Sequence, residues 1–413
     1  MPEQNAPTEA QVQEALRAAP PIVLAPGPRE APTQVPPVPH DVWELPGGTA
    51  WVYRGEGNSA LTRPVLLADG FNTGPSTPDF SWNALDFTSP FPFLSELRRR
   101  GRDVVLIGYH ERSASILDNA QATITAIQRA AAERAGGHPL VVGGFSMGGL
   151  VTRYALAKME SEPGGPDHGT RLYFSYDSPH RGAWIPIALQ AFAHYIRKLD
   201  ARFSDQINSA ASRQLLAQHI AEWQDAPAVD KEREEFLAEL ARVGNWPRQP
   251  RTIGVANGVG TGEGNGIRPG VDAVLGKGLG IVGTDLNTQS AGDAQLVATL
   301  RVLTLKKPEI HTSGLPEFDG APGGTLEGFG ILADALNKIA GLGVDVPVRE
   351  HCFVPAVSAV AIRDVTSQDD LYSDINALAP EDSELDEFKV ASQNEPHTHI
   401  TEELCGWILE RLP

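Results

Sequence analysis

Gly144-Phe145-Ser146-Met147-Gly148 sets one hydroxyl among residues with almost no side chain. The apolar run "PLVVGGF" (139–145) stops at it, and the helical pattern "MGGLVTRYALAKME" (147–160) begins directly after. A serine on such a strand-to-helix turn can serve as a nucleophile. The sharp turn pushes its Oγ outward, and glycines two residues to either side let strand and helix approach closely. The following helix start offers free N–H groups and a dipole that favour a developing oxyanion. An incidental serine in a Gly-rich turn is the plain alternative. The coincidence of strand, turn and helix favours the nucleophile.

A nucleophilic serine needs a second oxyanion donor, a base and an acid. "PVLLADGFNTG" (64–74) supplies a loop after an earlier strand, where the Asp69-Gly70 turn leaves the Phe71 N–H as donor beside the Met147 N–H. The base is expected late in the chain. His397 and His399 both lie in "SQNEPHTHIT" (392–401), just before the last helix. His397 is preferred, because it follows Asn-Glu-Pro at the loop tip. For the acid, Asp177 in "YFSYDSPHRGAW" ends the strand after the nucleophile strand, Asp319 sits in the loop "LPEFDGAPGG", and Glu350 precedes "HCFVP". They are ordered Asp177, Asp319, Glu350. A capping role for Asp177 and an Asx turn at Asp319 are the plain alternatives.

These residues require a scaffold. "PVLLADG", "DVVLIGY", "PLVVGGF", "TRLYFSYD" and "RTIGVANG" are apolar runs separated by helical patterns at 91–101, 116–137 and 147–160. Continuous apolar strands alternating with helices predict a parallel sheet covered on both faces. Residues 1–48 read as a proline-rich arm with one short helix near Glu9–Ala19, and "TAWVYRG" (49–55) as an edge strand. Residues 184–250 turn helical and charged, which predicts a cap inserted into a core formed by 49–183 and 251–413. Trp184, Ile185, Ile187, Leu189, Phe192 and Tyr195 at the start of that cap would either line an apolar substrate pocket or pack the cap down. Residues 258–345 are glycine-rich, with a strand signal at 295–305 and a helix at 327–341. "HCFVPAVSAVAI" (351–362) reads as extended, and 400–412 as an amphipathic helix.

The formal net charge of −18 argues against nucleic acid or anionic membranes as partners. Two cysteines, Cys352 and Cys405, form neither a disulfide framework nor a metal-type spacing, and no metal or organic cofactor is expected. The N-terminal stretch lacks a basic region followed by an apolar core, and no run of about 18 apolar residues occurs. A cytoplasmic location is the default, and a trimmed secreted form would read the same.

"PVLLADGFNTG", "GGFSMGGLVTRYAL" and "YDSPHRGAWIP" together resemble the α/β-hydrolase superfamily. Within it they are most similar to the GPI-inositol-deacylase-like and bacterial lipase group, which carries an S-P-H-x-G or T-P-H-x-G turn. The likeness covers about residues 65–185. It departs from that group at Asp69-Gly70, where those lipases have His-Gly, and at His351, where an acid-bearing loop would hold aspartate. The resemblance implies a mostly parallel sheet flanked by helices and serine ester hydrolysis on a small-molecule or lipid-like ester. An acyltransferase or cyclising thioesterase, an amidase, and a non-catalytic binding module are the alternatives on the same fold.

Overall fold

The computed structural model describes residues 7–18, 34–165, 167–363 and 365–413. Much of the expected arm, residues 1–6 and 19–33, lies outside the described residues. Eight strands form the central sheet: β1 (Asp41–Leu45), β2 (Gly48–Tyr53), β3 (Pro64–Ala68), β4 (Asp103–Tyr109), β5 (Leu140–Phe145), β6 (Thr170–Tyr176), β7 (Arg251–Ala256) and, late in the chain, Glu387–Val390. Every residue of β3, β4 and β5 is buried. That is why these strands read as unbroken apolar runs rather than as alternating ones.

Successive side chains point to opposite faces, and two cores result. Leu66, Ala68, Val105, Ile107 and Val142 join the helices Ile116–Glu133 and Met147–Ser161 on one face, and the same continuous core runs on to the helices Glu9–Ala18 and Ile187–Tyr195. Val65, Leu67, Val104, Leu106 and Phe145 join the helices Phe93–Arg99 and Glu402–Leu409 on the other, with Trp82 in the same core.

The remaining strands are β8 (Asp272–Gly276), β9 (Asp285–Asn287), β10 (Gln295–Thr299), β11 (Glu309–Thr312), β12 (Gly323–Leu326), β13 (Val344–Asp345), β14 (His351–Pro355) and β15, the Glu387–Val390 strand already named. The central order is β1-β2-β4-β3-β5-β6-β7-β15. β2 runs antiparallel to β1 and β4, and the pairs from β4 to β15 are parallel.

Several expectations need correction. β2 is not an edge strand: it pairs with both β1 and β4, and the edge is β1, drawn from the end of the expected arm. Within 251–413 only β7 and β15 join the central sheet. β8, β9, β10, β11 and β13 make a separate antiparallel sheet, ordered β11-β10-β9-β8-β13, and β12 pairs with β14. The expected strand over 295–305 ends at Thr299, and the extended stretch 351–362 turns into the short helix Ala356–Ala359 after five residues. Both cysteines are free and buried. Among the described residues, no helix is long and apolar enough to cross a membrane.

Candidate active site

The turn after β5 is sharp because Ser146 adopts φ 53° and ψ −125°. Left-handed backbone at a non-glycine residue costs about 1–3 kcal/mol and persists only where the surroundings enforce it. Here β6 enforces it, through Ser146 N–H donating to the Tyr176 carbonyl at 2.9 Å. A Cβ at Gly144 would overlap the Gly148 carbonyl, and one at Gly148 would overlap the Ala68 carbonyl. Both glycines therefore mark places where strand, helix and the loop after β3 meet backbone to backbone.

Asp177 directly follows β6, with φ 47°. Its N–H donates to the Val255 carbonyl at 2.8 Å, and its Oδ1 accepts from the Asn257 N–H at 2.9 Å. Its Oδ2 lies 2.6 Å from His397 Nδ1. His397 comes from the loop between β15 and the last helix, fixed by its own N–H donating to the Thr325 carbonyl at 2.8 Å. Its Nε2 lies 2.7 Å from Ser146 Oγ, and the Phe353 ring meets it edge-on at 4.9 Å. Thr398, next in the chain, is again left-handed at φ 55°. A carboxylate can only accept, so Nδ1 carries the proton and Nε2 is left to accept the serine O–H. Ser146, Asp177 and His397 are 9%, 0% and 2% exposed, so the chain of three is shielded while the serine keeps an opening.

The expected oxyanion residues flank the serine. A Cβ at Gly70 would stand 3.5 Å from Ser146 Cβ, so the loop after β3 lies against the turn. Met147 is the first residue of a 15-residue helix. Its N–H is among the four without an intrahelical partner. No described residue accepts from the Phe71 N–H.

Other sequence candidates lie elsewhere. Asp319 is buried, its Oδ2 accepts from the Gln289 N–H at 2.8 Å, and no hydrogen bond joins it to His397. Burial pushes its carboxyl up to about 7. Glu350 accepts from Thr325 Oγ1 at 3.1 Å. The His399 ring stands 3.8 Å from Glu395, while its carbonyl accepts from the Tyr176 hydroxyl and Asn257 Nδ2. His180, in the turn that leads into the cap and not among those candidates, lies 2.9 Å from Ser175 Oγ, and burial holds its imidazole far below the usual range. Burial likewise lowers His351 to about 4.

Of the two readings of the cap residues, the packing one fits: none of the six lines the cavity at Ser146. A cavity of about 70 Å³ opens at Ser146, lined by Leu67, Phe71, Phe80, Ala84, Leu85 and Phe145 among others. Trp184, Ile185, Ile187, Leu189 and Phe192 are instead buried in the larger of the two cores, with Tyr195 packed against it. A more open groove of about 520 Å³ between residues 265–272 and 347–350 has no serine, cysteine or lysine on its walls.

Sequence reasoning missed Asn257, which orients Asp177, and Gly324. A Cβ at Gly324 would overlap Asp177 Oδ2 and stand 3.1 Å from His397 Cα. "RTIGVANG" could have pointed to Asn257, one residue past a strand end. Nothing local marks Gly324.

No protein-family model matches the chain, and no curated protein sequence does. Similar solved structures include the mature lipase of Bacillus licheniformis, 14% identical over 50% of this chain and 71% of that one, with a TM-score of 0.33. Est1E from Butyrivibrio proteoclasticus is 10% identical over 32% of this chain and 46% of its own, with a TM-score of 0.25. An esterase from the hyperthermophilic archaeon Pyrobaculum calidifontis is 15% identical over 60% of this chain and 71% of that one, with a TM-score of 0.33. The strand order of the chain itself, not these likenesses, carries the fold. A sheet ordered β1-β2-β4-β3-β5-β6-β7-β15, antiparallel only at β1 and β2, with a serine turn after β5, is the α/β-hydrolase fold.

Proposed function

We propose that the chain is a serine carboxylic-ester hydrolase working through an acyl-enzyme. One observation carries the reading: the His397 imidazole stands 2.7 Å from Ser146 Oγ and 2.6 Å from Asp177 Oδ2. In the proposed reaction Ser146 Oγ attacks the acyl carbon while its proton passes to His397 Nε2. The tetrahedral oxyanion takes hydrogen bonds from the Phe71 and Met147 N–H groups. On collapse the imidazolium gives its proton to the leaving alcohol. Water then repeats the sequence, losing a proton to Nε2 and releasing the carboxylic acid and free Ser146. Asp177 keeps the imidazole in the required tautomer and offsets its transient charge.

The cavity beside Ser146 is small and mostly apolar, so the acyl group is proposed to be short and unbranched. A p-nitrophenyl ester series from acetyl to palmitoyl tests this. The wild type is expected to turn over the short esters best, and Ser146→Ala to lose at least about 10⁴-fold in kcat. Activity confined to amides would favour an amidase instead. No turnover combined with no labelling by a fluorophosphonate would leave a non-catalytic binding module.

A further inference from the structure

The loop that carries Phe71 runs through residues 69–76 without regular structure, and two residues just past the end of β4 hold its shape. Glu111 Oε1 accepts from the Gly74 N–H at 2.9 Å and is itself fixed by the Ser113 N–H and hydroxyl at 3.0 and 2.7 Å. Arg112 donates to the Gly74 carbonyl from its N–H at 3.1 Å and from Nε at 3.2 Å, and to the Thr73 carbonyl from Nη2 at 3.1 Å. Its guanidinium stacks over the Phe80 ring at 4.9 Å, on the cavity wall.

The remaining nitrogen, Nη1, is buried without a hydrogen-bond partner and stands 3.8 Å from Asp69 Oδ2. Asp69 lines the cavity at Ser146. Its Oδ1 accepts from the Gly70 N–H at 2.8 Å and its Oδ2 from the Ser76 hydroxyl at 2.6 Å. Burial pushes this carboxyl up, and Arg112 pulls it down. A carboxylate here would oppose an oxyanion forming at Ser146. A guanidinium on its other side offsets that opposition.

We propose that Arg112 is a positioning residue for the oxyanion hole: it pins Thr73 and Gly74 so that the Phe71 N–H faces the forming oxyanion, and it balances the Asp69 charge. The proposal rests on the serine-hydrolase reading.

Three variants test it: Arg112→Met, Arg112→Lys, and Arg112→Met combined with Asp69→Asn. Arg112→Met is expected to lower kcat about 100-fold with KM within about threefold. Its affinity for a trifluoromethyl ketone, whose adduct carries the same oxyanion, should fall by the same factor. Arg112→Lys keeps the charge without the planar fork, and the double variant removes the opposing charge. Each should recover about tenfold in kcat. A kcat for Arg112→Met within threefold of wild type, or a loss matched by a lower Tm with ketone affinity unchanged, overturns the proposal. So does amide hydrogen exchange at residues 70–76 that Arg112→Met leaves as slow as in wild type. That last readout needs no substrate. Hydrolysis surviving in Ser146→Ala would sink the functional reading while the exchange result still judged the clamp.

Discussion

Two parts of the chain leave the carboxyl ends of central strands: residues 69–87 after β3, and the block 184–345, which follows β6 as far as residue 250 and β7 from residue 257 on. Both are rich in apolar side chains, yet they do different things. In the helix Ile187–Tyr195 eight of nine residues are buried, and even its polar members are tied inside. Gln190 donates to the Ile185 and Gln218 carbonyls, and His194 lies 2.7 Å from Ser204 Oγ and 2.8 Å from the Ile220 carbonyl. Such a helix is core. In residues 78–87 a short helix passes into a π-helical turn at Asn83–Phe87, and Phe80 and Ala84 stay half-buried against the cavity at Ser146. π-turns recur at functional sites because the extra residue widens the helix and displaces side chains. A binding wall is apolar surface left uncovered, and helical periodicity alone does not report what covers it.

The sharpest division within this comparison is between two buried aspartates, Asp177 at the site and Asp319 in the block. Asp177→Asn should lower kcat about 10⁴-fold by spoiling the histidine tautomer, and Asp319→Asn should leave kcat within about threefold. Equal losses on a p-nitrophenyl ester would erase the division. Next, Phe192→Ala should remove about 3–5 kcal/mol of unfolding free energy in urea, with the preferred ester chain length unchanged. A moved optimum would put the cap helix back at the pocket.

Asp319 offers a third check. Its folded carboxyl is raised from 3.8 to about 7, so between these values the native state holds a proton that the unfolded chain has lost. Stability from this group is therefore present at low pH and falls as pH rises through that window, by at most about 4 kcal/mol. Asp319→Asn should gain on wild type between pH 4 and 7 and stay level above. A flat difference would mean the carboxyl is not held neutral. The smallest effect belongs to the wall: Ala84→Trp should cut kcat/KM for the butyryl ester about 100-fold relative to acetyl, with unfolding free energy little changed. No change in that ratio would remove residues 78–87 from the pocket.

Much of the scaffold was readable because β3 to β7 are buried on both faces and so announce themselves as apolar runs. The serine turn was readable because Gly144 and Gly148 record steric contacts locally. The partnership of Asp177 with His397 spans 220 positions, and only the meeting of two loops selects it over Asp319. β9 and β13, of three and two residues, are too short to leave a period-2 pattern, which hid the second sheet. β1 was lost in a proline-rich neighbourhood. Arg112 lies in "YHERSAS", a stretch with no motif, since its work is done on backbone carbonyls that any sequence would supply.

One glycine also bears on how such a chain can change. The block between β7 and β15 meets the triad residues in the β12–β14 pair, at the Thr325 carbonyl, at the Phe353 ring and at Gly324, where any side chain would collide with Asp177. A lineage could rewrite much of that block, altering what approaches the serine from outside, while the chemistry stayed intact. It could not add a single methyl group at position 324. Libraries built on this chain should hold position 324 constant, together with Thr325 and Phe353 beside His397, and let the rest of the block drift.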